Sequence, residues 1–324
     1  MKAARRVIER RTRAVYHCMS RTVNGEVMWD EAAKQVLVGQ LKRAAAFCGV
    51  EILTYCVMSN HFHVLVEVPE KEKADALLTD DELLRRYRVL YPQPTRHQAA
   101  SIKVLEGKLA AGGEERDAIR QRFIHRMHQL PEFMRLVKQR FSVWFNRHHN
   151  RFGTLWAERF TSVLVEGEGN PLLAMALYID LNPVRAGIVT EPRNYRFSGY
   201  ADAVANGGRQ DGIRKIVASF MRSERADALA LYGLRLKGKN SKKRRAGRRG
   251  QPAPDTLQST LCQRSRQLTG GSVFGCQSFV SKYIDGQKGA PVALNQPGME
   301  DLHILHRVNR SGVTLACDLR QPMR

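Results

Sequence analysis

A chain of 324 residues with 43% apolar and 26% charged residues has an ordinary globular composition and can bury a large core. Its 53 Lys and Arg against 31 Asp and Glu give a net charge of +22, which makes nucleic acid the first partner to expect. The six cysteines show no CxxC pair or compact disulfide spacing, which disfavours a zinc ribbon and fits a reducing cytoplasm. No apolar run approaches the roughly 20 residues of a membrane span and no signal-peptide pattern is visible, so we expect a cytoplasmic protein without a membrane partner.

The first quarter of the chain has the pattern β-α-β-β. Residues 14–23 are rich in β-formers and predict a first strand. An amphipathic helix follows between Asp30, a suitable N-cap, and Gly49, a suitable stop. The stretches "EILTYCVMSN" and "HFHVLVEV" then predict two strands joined near Ser59 and Asn60. This order predicts an α+β fold of the ferredoxin or RRM type, an antiparallel sheet with helices on one face.

The next part of the chain alternates between helical and strand patterns. Residues 70–130 are polar and helical in pattern, which predicts a helical insertion on the sheet domain. A helix is predicted from Pro131, and "RFTSVLVE" predicts a further strand. Asn170, directly before a proline, predicts the start of a last helix, which we expect to end near Asn182 because another proline follows.

Composition divides the chain into four parts. Residues 1–200 form the predicted sheet domain, and residues 201–255 read as a linker because a run of Lys and Arg is followed by prolines. Residues 256–290 recover helical patterning and predict a small helical module of helix-turn-helix type. Residues 291–324 show no clear organisation.

Two histidines open the strand "HFHVLVEV". Because side chains alternate along a strand, His61 and His63 share one face with Leu65, while Phe62 and Val64 point to the other, which reads as the core side. Neutral imidazoles are common ligands of divalent metals, so the pair forms half of a metal site. The pattern alone is equally compatible with two histidines on an exposed face.

A second pair of polar side chains lies on the last predicted helix. Tyr178 and Asn182 are four residues apart and therefore share a helical face. If that face meets His61 and His63, the asparagine oxygen completes a mixed site that suits Mg²⁺ or Mn²⁺ on a phosphate, and Tyr178 is placed to attack phosphorus. The alternative is a tyrosine packed in the core and an asparagine that only ends a helix.

Several cationic side chains are suited to holding DNA phosphates, although runs of charge need no specific partner. A cluster near the first strand is the best placed, and further residues follow on the later helices and loops. The DNA-binding residues predicted in this way are Arg5, Arg6, Arg10, Arg11, Arg13, Lys138, Arg140, Arg159 and Arg185. His17, on the first strand, lies near enough to approach the histidine pair, but a structural role is favoured for it.

Four stretches occur together in an order that resembles a known family. "VMSNHFHVLVEV", "KQRFSVWFN", "GTLWAERF" and "YIDLNPVRAGIV" are similar to segments of the REP-associated tyrosine transposases, which are single-tyrosine HUH nucleases. The resemblance covers about residues 10–200. It implies an enzyme that cuts and rejoins single-stranded, hairpin-forming DNA through a 5′-phosphotyrosine link and a free 3′-hydroxyl, with a divalent metal, Mg²⁺ or Mn²⁺.

The resemblance also assigns roles to the residues that match. His61 and His63 correspond to the two metal-binding histidines, Tyr178 to the nucleophile and Asn182 to the third ligand. It implies single-stranded or hairpin DNA as the partner of a DNA-associated monomer or homodimer. The rival hypothesis is a non-catalytic nucleic-acid-binding protein on the same fold, in which the histidines are structural.

Overall fold

The computed structural model describes residues 7–9, 12–208, 211–220, 227–237, 271–283, 291–293 and 302–306. The strands are β1 (Ala14–Arg21), β2 (Glu51–Val57), β3 (His61–Val68), β4 (Thr161–Val165), β5 (Gly271–Gly275), β6 (Pro291–Ala293) and β7 (His303–His306). The helices in the first two thirds are α1 (Glu31–Cys48), α2 (Lys71–Ala76), α3 (Asp80–Val89), α4 (Arg96–Ala111), α5 (Gly113–Ile124), α6 (Leu130–His148), α7 (Gly169–Asp180), α8 (Asn182–Arg185) and α9 (Gly199–Ala205). They are followed by α10 (Asp211–Ala218), α11 (Ala228–Lys237) and α12 (Gln277–Ser281).

All the described strands join one sheet, in the order β2-β3-β1-β4-β5-β7-β6. The first four strands pair antiparallel, with β1 between β3 and β4. The α+β prediction is therefore confirmed. The sheet is not antiparallel throughout, because β4 and β5 run parallel.

Helices cover both faces of the central strands, which differs from the prediction of helices on one face. On the Phe62 face, the Phe62 ring contacts Trp156, and Trp156 contacts Phe141 of α6. On the histidine face, α7 packs with the Tyr178 ring against His63. The physical reason lies in β3 itself, where residues of both faces are fully buried and both faces therefore need a cover.

The predicted boundaries of α1 are confirmed. The Asp30 carboxylate accepts a hydrogen bond from the backbone N–H of Ala33 at 2.7 Å, and Gly49 ends the helix in the left-handed conformation, at φ 63°. A Cβ at Gly49 would lie 2.1 Å from the Arg86 guanidinium and 2.5 Å from the ring of His128. The residues between β3 and α6 therefore dock tightly on the end of α1, as helices α2 to α5.

The helix that carries the candidate tyrosine begins two residues earlier than predicted. α7 starts at Gly169 after Glu168, and not behind a capping Asn170. It ends at Asp180, and the short α8 follows across Leu181. The expected break before the proline is therefore present.

The C-terminal part differs from the predicted linker, module and tail. Within 201–255, α10 lies so close to β2 that a Cβ on Gly212 would lie 2.3 Å from the Leu53 carbonyl oxygen, and Tyr232 of α11 is fully buried. The stretch from Gly271 to Gly275 is a sheet strand and not part of a helix pair, because it pairs with β4 on one side and with β7 on the other. Residues 238–270 lie outside the described residues, so the basic run is not placed.

Candidate active site

The register of β1 and β3 sets the two histidines beside a third one. Arg21 lies opposite His61, Met19 opposite His63 and His17 opposite Leu65. Residues opposite one another share a face of the sheet, so His17 joins the pair predicted from the sequence. His63 and His17 are each 1% exposed and His61 is half-buried. The alternative of two histidines on an exposed face, which the pattern left open, is therefore wrong.

Each histidine of the pair has its Nδ1 atom occupied by a neighbour. His61 Nδ1 lies 2.6 Å from the side-chain oxygen of Asn60, and His63 Nδ1 lies 2.9 Å from His17 Nε2. Metal-binding histidines commonly use one ring nitrogen for the cation while the other is held by such an outer partner. This arrangement assigns Nε2 of His61 and of His63 as the atoms available to a cation.

The electrostatics keep these imidazoles neutral. Burial, with a smaller contribution from Arg21 and Arg185, lowers the pKa of His61 to about 3. Burial also lowers the pKa of His17 to about 3 and that of His63 well below its usual value. A neutral imidazole has a free lone pair, which is the form that binds a metal.

The predicted meeting of Tyr178 with the histidines is present in the structure. The Tyr178 ring stands edge-on to His63 at 5.7 Å and to His17 at 5.9 Å between ring centroids. The Arg185 guanidinium lies over the same ring, 5.0 Å from its centroid. Tyr178 is 3% exposed, and this burial raises the pKa of its hydroxyl, while the charge of Arg185 and hydrogen bonds with Arg185 and Asn182 oppose the rise.

Asn182 lies beside Tyr178 but its amide is already engaged. Its Nδ2 donates to the carbonyl oxygens of Tyr178 at 3.0 Å and Ile179 at 3.2 Å, and its Oδ1 accepts from Arg185 at 2.6 Å. Within the part of the chain that the structure describes, no group of three or more His, Cys, Asp or Glu is arranged to hold a metal. The histidine pair thus fits half of a cation site, and Asn182 becomes a ligand only if its oxygen exchanges Arg185 for the cation.

A buried carboxylate that sequence reasoning missed fixes the tyrosine helix. Asp180 is fully buried and accepts hydrogen bonds from Thr54 Oγ1 at 2.9 Å, Tyr232 OH at 2.7 Å and Tyr200 N–H at 3.2 Å. Burial raises its pKa to about 7, against the effect of these bonds. Asp180 therefore ties α7 to β2, α9 and α11. The sequence signal for it is an acidic residue within an otherwise apolar helix.

Asn60 was also missed as a site residue, because the sequence assigned it only to a turn. Its Nδ2 donates to the Gly25 carbonyl oxygen at 2.8 Å, which leaves its Oδ1 turned toward His61. The sequence signal that could have identified this role is a side-chain amide directly before the histidine pair. Asn60 thus both closes the turn and orients a candidate ligand.

The predicted DNA-binding cations fall into different surroundings. Arg185 lies at the tyrosine, and Arg13 forms an ion pair with Glu67 at 3.3 Å. Arg140 is half-buried and donates to Gln40 and to the Leu90 carbonyl oxygen. Arg5, Arg6, Arg10 and Arg11 lie outside the described residues.

Lys138 and Arg159 line one surface groove of about 420 Å³ together with Arg135 and Trp156. The Lys138 ammonium lies 5.1 Å from the centroid of the Trp156 ring. It also donates to the carbonyl oxygen of Glu158 at 2.6 Å. The groove therefore combines cationic and aromatic side chains, as protein surfaces that bind single-stranded nucleic acid do.

Comparison with known proteins supports the resemblance found in the motifs. Residues 11–79 match the sequence model of the family described as "Transposase IS200 like", and this segment includes the histidine pair. The resemblance to this transposase family is therefore confirmed over those residues. A solved structure described as "Structure of the REP associates tyrosine transposase bound to a REP hairpin" is similar at 15% identity and a TM-score of 0.40, over 64% of this chain and 87% of that chain. No curated protein matches the chain, and no described helix is long and apolar enough to cross a bilayer.

Proposed function

We propose that this chain is a metal-dependent single-strand DNA endonuclease and strand transferase that uses Tyr178 as its nucleophile. The observation that carries the proposal is the 5.7 Å contact between the rings of Tyr178 and His63. The transposase-family match ends at residue 79 and does not reach the tyrosine. The fold thus brings a tyrosine from a distant segment onto the histidine pair, which a merely structural pair does not require.

The reaction is a transesterification at phosphorus. The Tyr178 hydroxyl loses its proton as its oxygen attacks a backbone phosphate, and the new O–P bond replaces the bond from phosphorus to the 3′ oxygen. The 3′ oxygen takes up a proton and leaves as a hydroxyl, so the numbers of bonds and protons are unchanged. The products are a 5′-phosphotyrosine and a free 3′-hydroxyl. The reverse attack by a 3′-hydroxyl rejoins DNA. One phosphodiester is exchanged for another, so the reaction needs no nucleotide cofactor.

The residues around Tyr178 have separate roles in this scheme. His61 and His63 would hold Mg²⁺ or Mn²⁺ through Nε2, and such a cation supplies a Lewis acid for the scissile phosphate. Arg185, over the phenol ring, stabilises the negative charge that develops on the tyrosine oxygen. Asn182 accepts a hydrogen bond from Arg185, and it is the proposed third ligand once its oxygen exchanges Arg185 for the cation.

In this proposal the DNA path includes the cationic and aromatic loop that connects α6 to the strand edge of His61. Phe152 is 91% exposed, beside Arg151, on a loop that is fastened to the histidine edge. The fastening is made by Ala157 N–H, which donates to the Arg21 carbonyl oxygen at 3.1 Å, and Arg21 lies opposite His61. An exposed ring beside a cation suits an unpaired base and its phosphate. We therefore propose single-stranded, hairpin-forming DNA as the partner of a cytoplasmic monomer or homodimer.

The rival function, non-catalytic binding of nucleic acid, is favoured by two features of the same site. Tyr178 is nearly inaccessible and the Asn182 oxygen is bonded to Arg185. In a binding protein these contacts are permanent. In a nuclease they must open when DNA and a cation arrive. The two functions differ in their response to a chelator, because only cleavage needs the cation.

The test is a cleavage assay with end-labelled hairpin DNA and Mn²⁺ on denaturing gels. Wild type is compared with Tyr178→Phe and with Tyr87→Phe, which removes a hydroxyl from helix α3 in the insertion. We expect a covalent protein–DNA band for wild type and Tyr87→Phe that is lost with Tyr178→Phe or EDTA. If no protein forms a band on a broad hairpin library while all three bind DNA equally, the binding function is correct.

A further inference from the structure

The hydrogen bond between His17 and His63 affects which ring nitrogen of His63 is free to bind a cation. The two rings are nearly parallel, at 19°, and His17 Nε2 lies 2.9 Å from His63 Nδ1. Both side chains are 1% exposed, and burial away from water favours the neutral form of an imidazole. A neutral imidazole has one N–H donor and one acceptor nitrogen, so a single proton is shared across this contact.

Two tautomeric arrangements satisfy the contact. In the first, His63 carries its proton on Nδ1 and donates to His17 Nε2, which leaves the lone pair of His63 Nε2 free for a cation. In the second, His17 donates from Nε2, and His63 carries its proton on its own Nε2, where it blocks a cation. Only the first arrangement is compatible with metal binding.

The two histidines of the pair differ in how firmly their tautomer is set. The Asn60 side-chain oxygen next to His61 is an acceptor only, because its Nδ2 donates to the Gly25 carbonyl oxygen. His61 must therefore carry its proton on Nδ1. His17 accepts or donates according to its own tautomer, so the state of His63 depends on His17.

The His17 ring nitrogen that does not contact His63, Nδ1, indicates that this side chain has a role beyond packing. His17 Nδ1 is buried and has no hydrogen-bond partner within the described part of the chain. An unpartnered ring nitrogen in the core destabilises the fold, and the strand neighbours of His17 are apolar, Leu65 and Val163. A valine or leucine would fill this position without that cost. The ring is therefore better explained by its contact with His63.

We propose that His17 is a positioning residue for the cation site, accepting the Nδ1 proton of His63 so that His63 Nε2 faces a divalent cation. This inference rests on the proposed metal-dependent function, but it concerns cation binding and not the chemistry at Tyr178. His17 touches neither the cation nor the phosphate in this scheme. It acts through the tautomer and orientation of His63.

The test compares three substitutions that differ in where an acceptor stands. His17→Gln places an amide oxygen the same number of bonds from Cβ as Nε2, so it can accept the His63 proton. His17→Asn places the oxygen at the position of Nδ1, too far from His63, and His17→Phe keeps a ring without any acceptor. Mn²⁺ affinity is measured by electron paramagnetic resonance on the full chain, with circular dichroism and metal-free DNA binding as checks of the fold.

We expect His17→Phe and His17→Asn to weaken Mn²⁺ binding roughly 10–100-fold, as loss of an outer-shell partner does, and His17→Gln to stay within a few-fold of wild type. Equal Mn²⁺ affinity for wild type and a folded His17→Phe overturns the proposal. So does a wild type that binds no Mn²⁺. Loss of Mn²⁺ affinity in His17→Phe without any covalent DNA adduct in wild type supports the role of His17 and overturns the nuclease function instead.

A measurement on wild type alone covers the case in which the variants do not fold. The ¹⁵N shifts of the His63 ring report which nitrogen carries the proton. We expect the Nδ1–H tautomer of His63 with saturating Mg²⁺, together with a proton on Nδ1 of His17. A His63 ring that keeps its proton on Nε2 in the presence of Mg²⁺ contradicts the proposal.

Discussion

The two faces of β3 are both buried over its central residues 62–66 but are built from different chemistry. On one face, Phe62 and Val64 pack against aromatic side chains in the usual manner of a core. On the other face, Leu65 is apolar, but His63 is bonded to His17, and the covering helix α7 carries the buried Asp180, which accepts hydrogen bonds from Thr54 and Tyr232. Burial of polar groups is costly unless they are bonded, so a polar buried face indicates a function that offsets this cost.

The comparison predicts that the histidine face controls activity. We expect His63→Ala to reduce Mn²⁺-dependent DNA cleavage by more than the roughly 10–100-fold that loss of an outer-shell partner costs. EDTA is expected to reduce wild-type cleavage by as much as the His63→Ala substitution does. The matched control is Phe62→Leu, at the residue directly before His63. It should leave the cleavage rate within a few-fold of that of wild type. Initial rates of strand cleavage measure the difference, and equal losses for both substitutions contradict it.

The same comparison predicts that the apolar face controls stability. Phe62 is fully buried, so Phe62→Ala removes a large apolar surface and leaves a cavity. We expect a loss of about 3–5 kcal/mol in the free energy of unfolding. Urea denaturation followed by circular dichroism measures it. A loss below about 1 kcal/mol would show that the Phe62 face is not a packed core.

Asp180 gives the polar face a pH dependence of its own. Its pKa is about 7 when folded and about 3.9 in an unfolded chain, so between these values the folded state holds a proton that the unfolded state has released. Its contribution to stability is thus present in full below pH 4 and is lost as the pH rises through about 7.

Asp180→Asn removes this dependence while it keeps the shape of the side chain. Buried histidines act in the opposite direction, because their lowered pKa values cost stability as the pH falls below about 6.5. The difference between wild type and Asp180→Asn isolates the carboxyl. Between pH 4.5 and 6.5, we expect the slope of unfolding free energy against pH to be higher by about 1.4 kcal/mol per pH unit in the variant. Parallel curves from urea denaturation at each pH would show that Asp180 does not hold a proton in the fold.

The exposed Phe152 lies on neither face of β3, so it tests DNA binding separately from cleavage and stability. We expect Phe152→Ala to weaken binding of single-stranded DNA by about 1 kcal/mol, the lower end of the range for base stacking, and to leave stability unchanged. Phe152→Tyr keeps the ring and should bind like wild type. Fluorescence anisotropy at fixed salt measures both. A loss of affinity in Phe152→Tyr equal to that in Phe152→Ala contradicts stacking.

The sequence predicts the elements of the site better than their surroundings. Alternation in "HFHVLVEV" predicts the strand and the shared face of His61 and His63, and the spacing of Tyr178 and Asn182 predicts one helical face. The alternation of side chains along the strand does not reveal that helices also cover the histidine face. Apolar Leu65 beside the histidines is the local sign that their face is buried as well.

The partners of Asp180 could not be predicted, because they are set by tertiary packing. Thr54 lies on β2 and Tyr232 on α11, far from Asp180 in sequence and brought to it only by the fold. The strand from Gly271 to Gly275 is short and its flanks have helical patterning, so the sequence predicts a helical module there. Its place beside β4 depends on the sheet edge that the earlier strands leave open.

The central claim is that Tyr178 forms a covalent bond to DNA. The most direct measurement is to trap wild-type protein with labelled hairpin DNA and Mn²⁺, digest the complex and locate the nucleotide adduct by mass spectrometry. The account predicts a 5′-phosphotyrosine on the peptide that contains Tyr178, dependent on Mn²⁺. An adduct on another residue, or none from a protein that binds both Mn²⁺ and the hairpin, would contradict it.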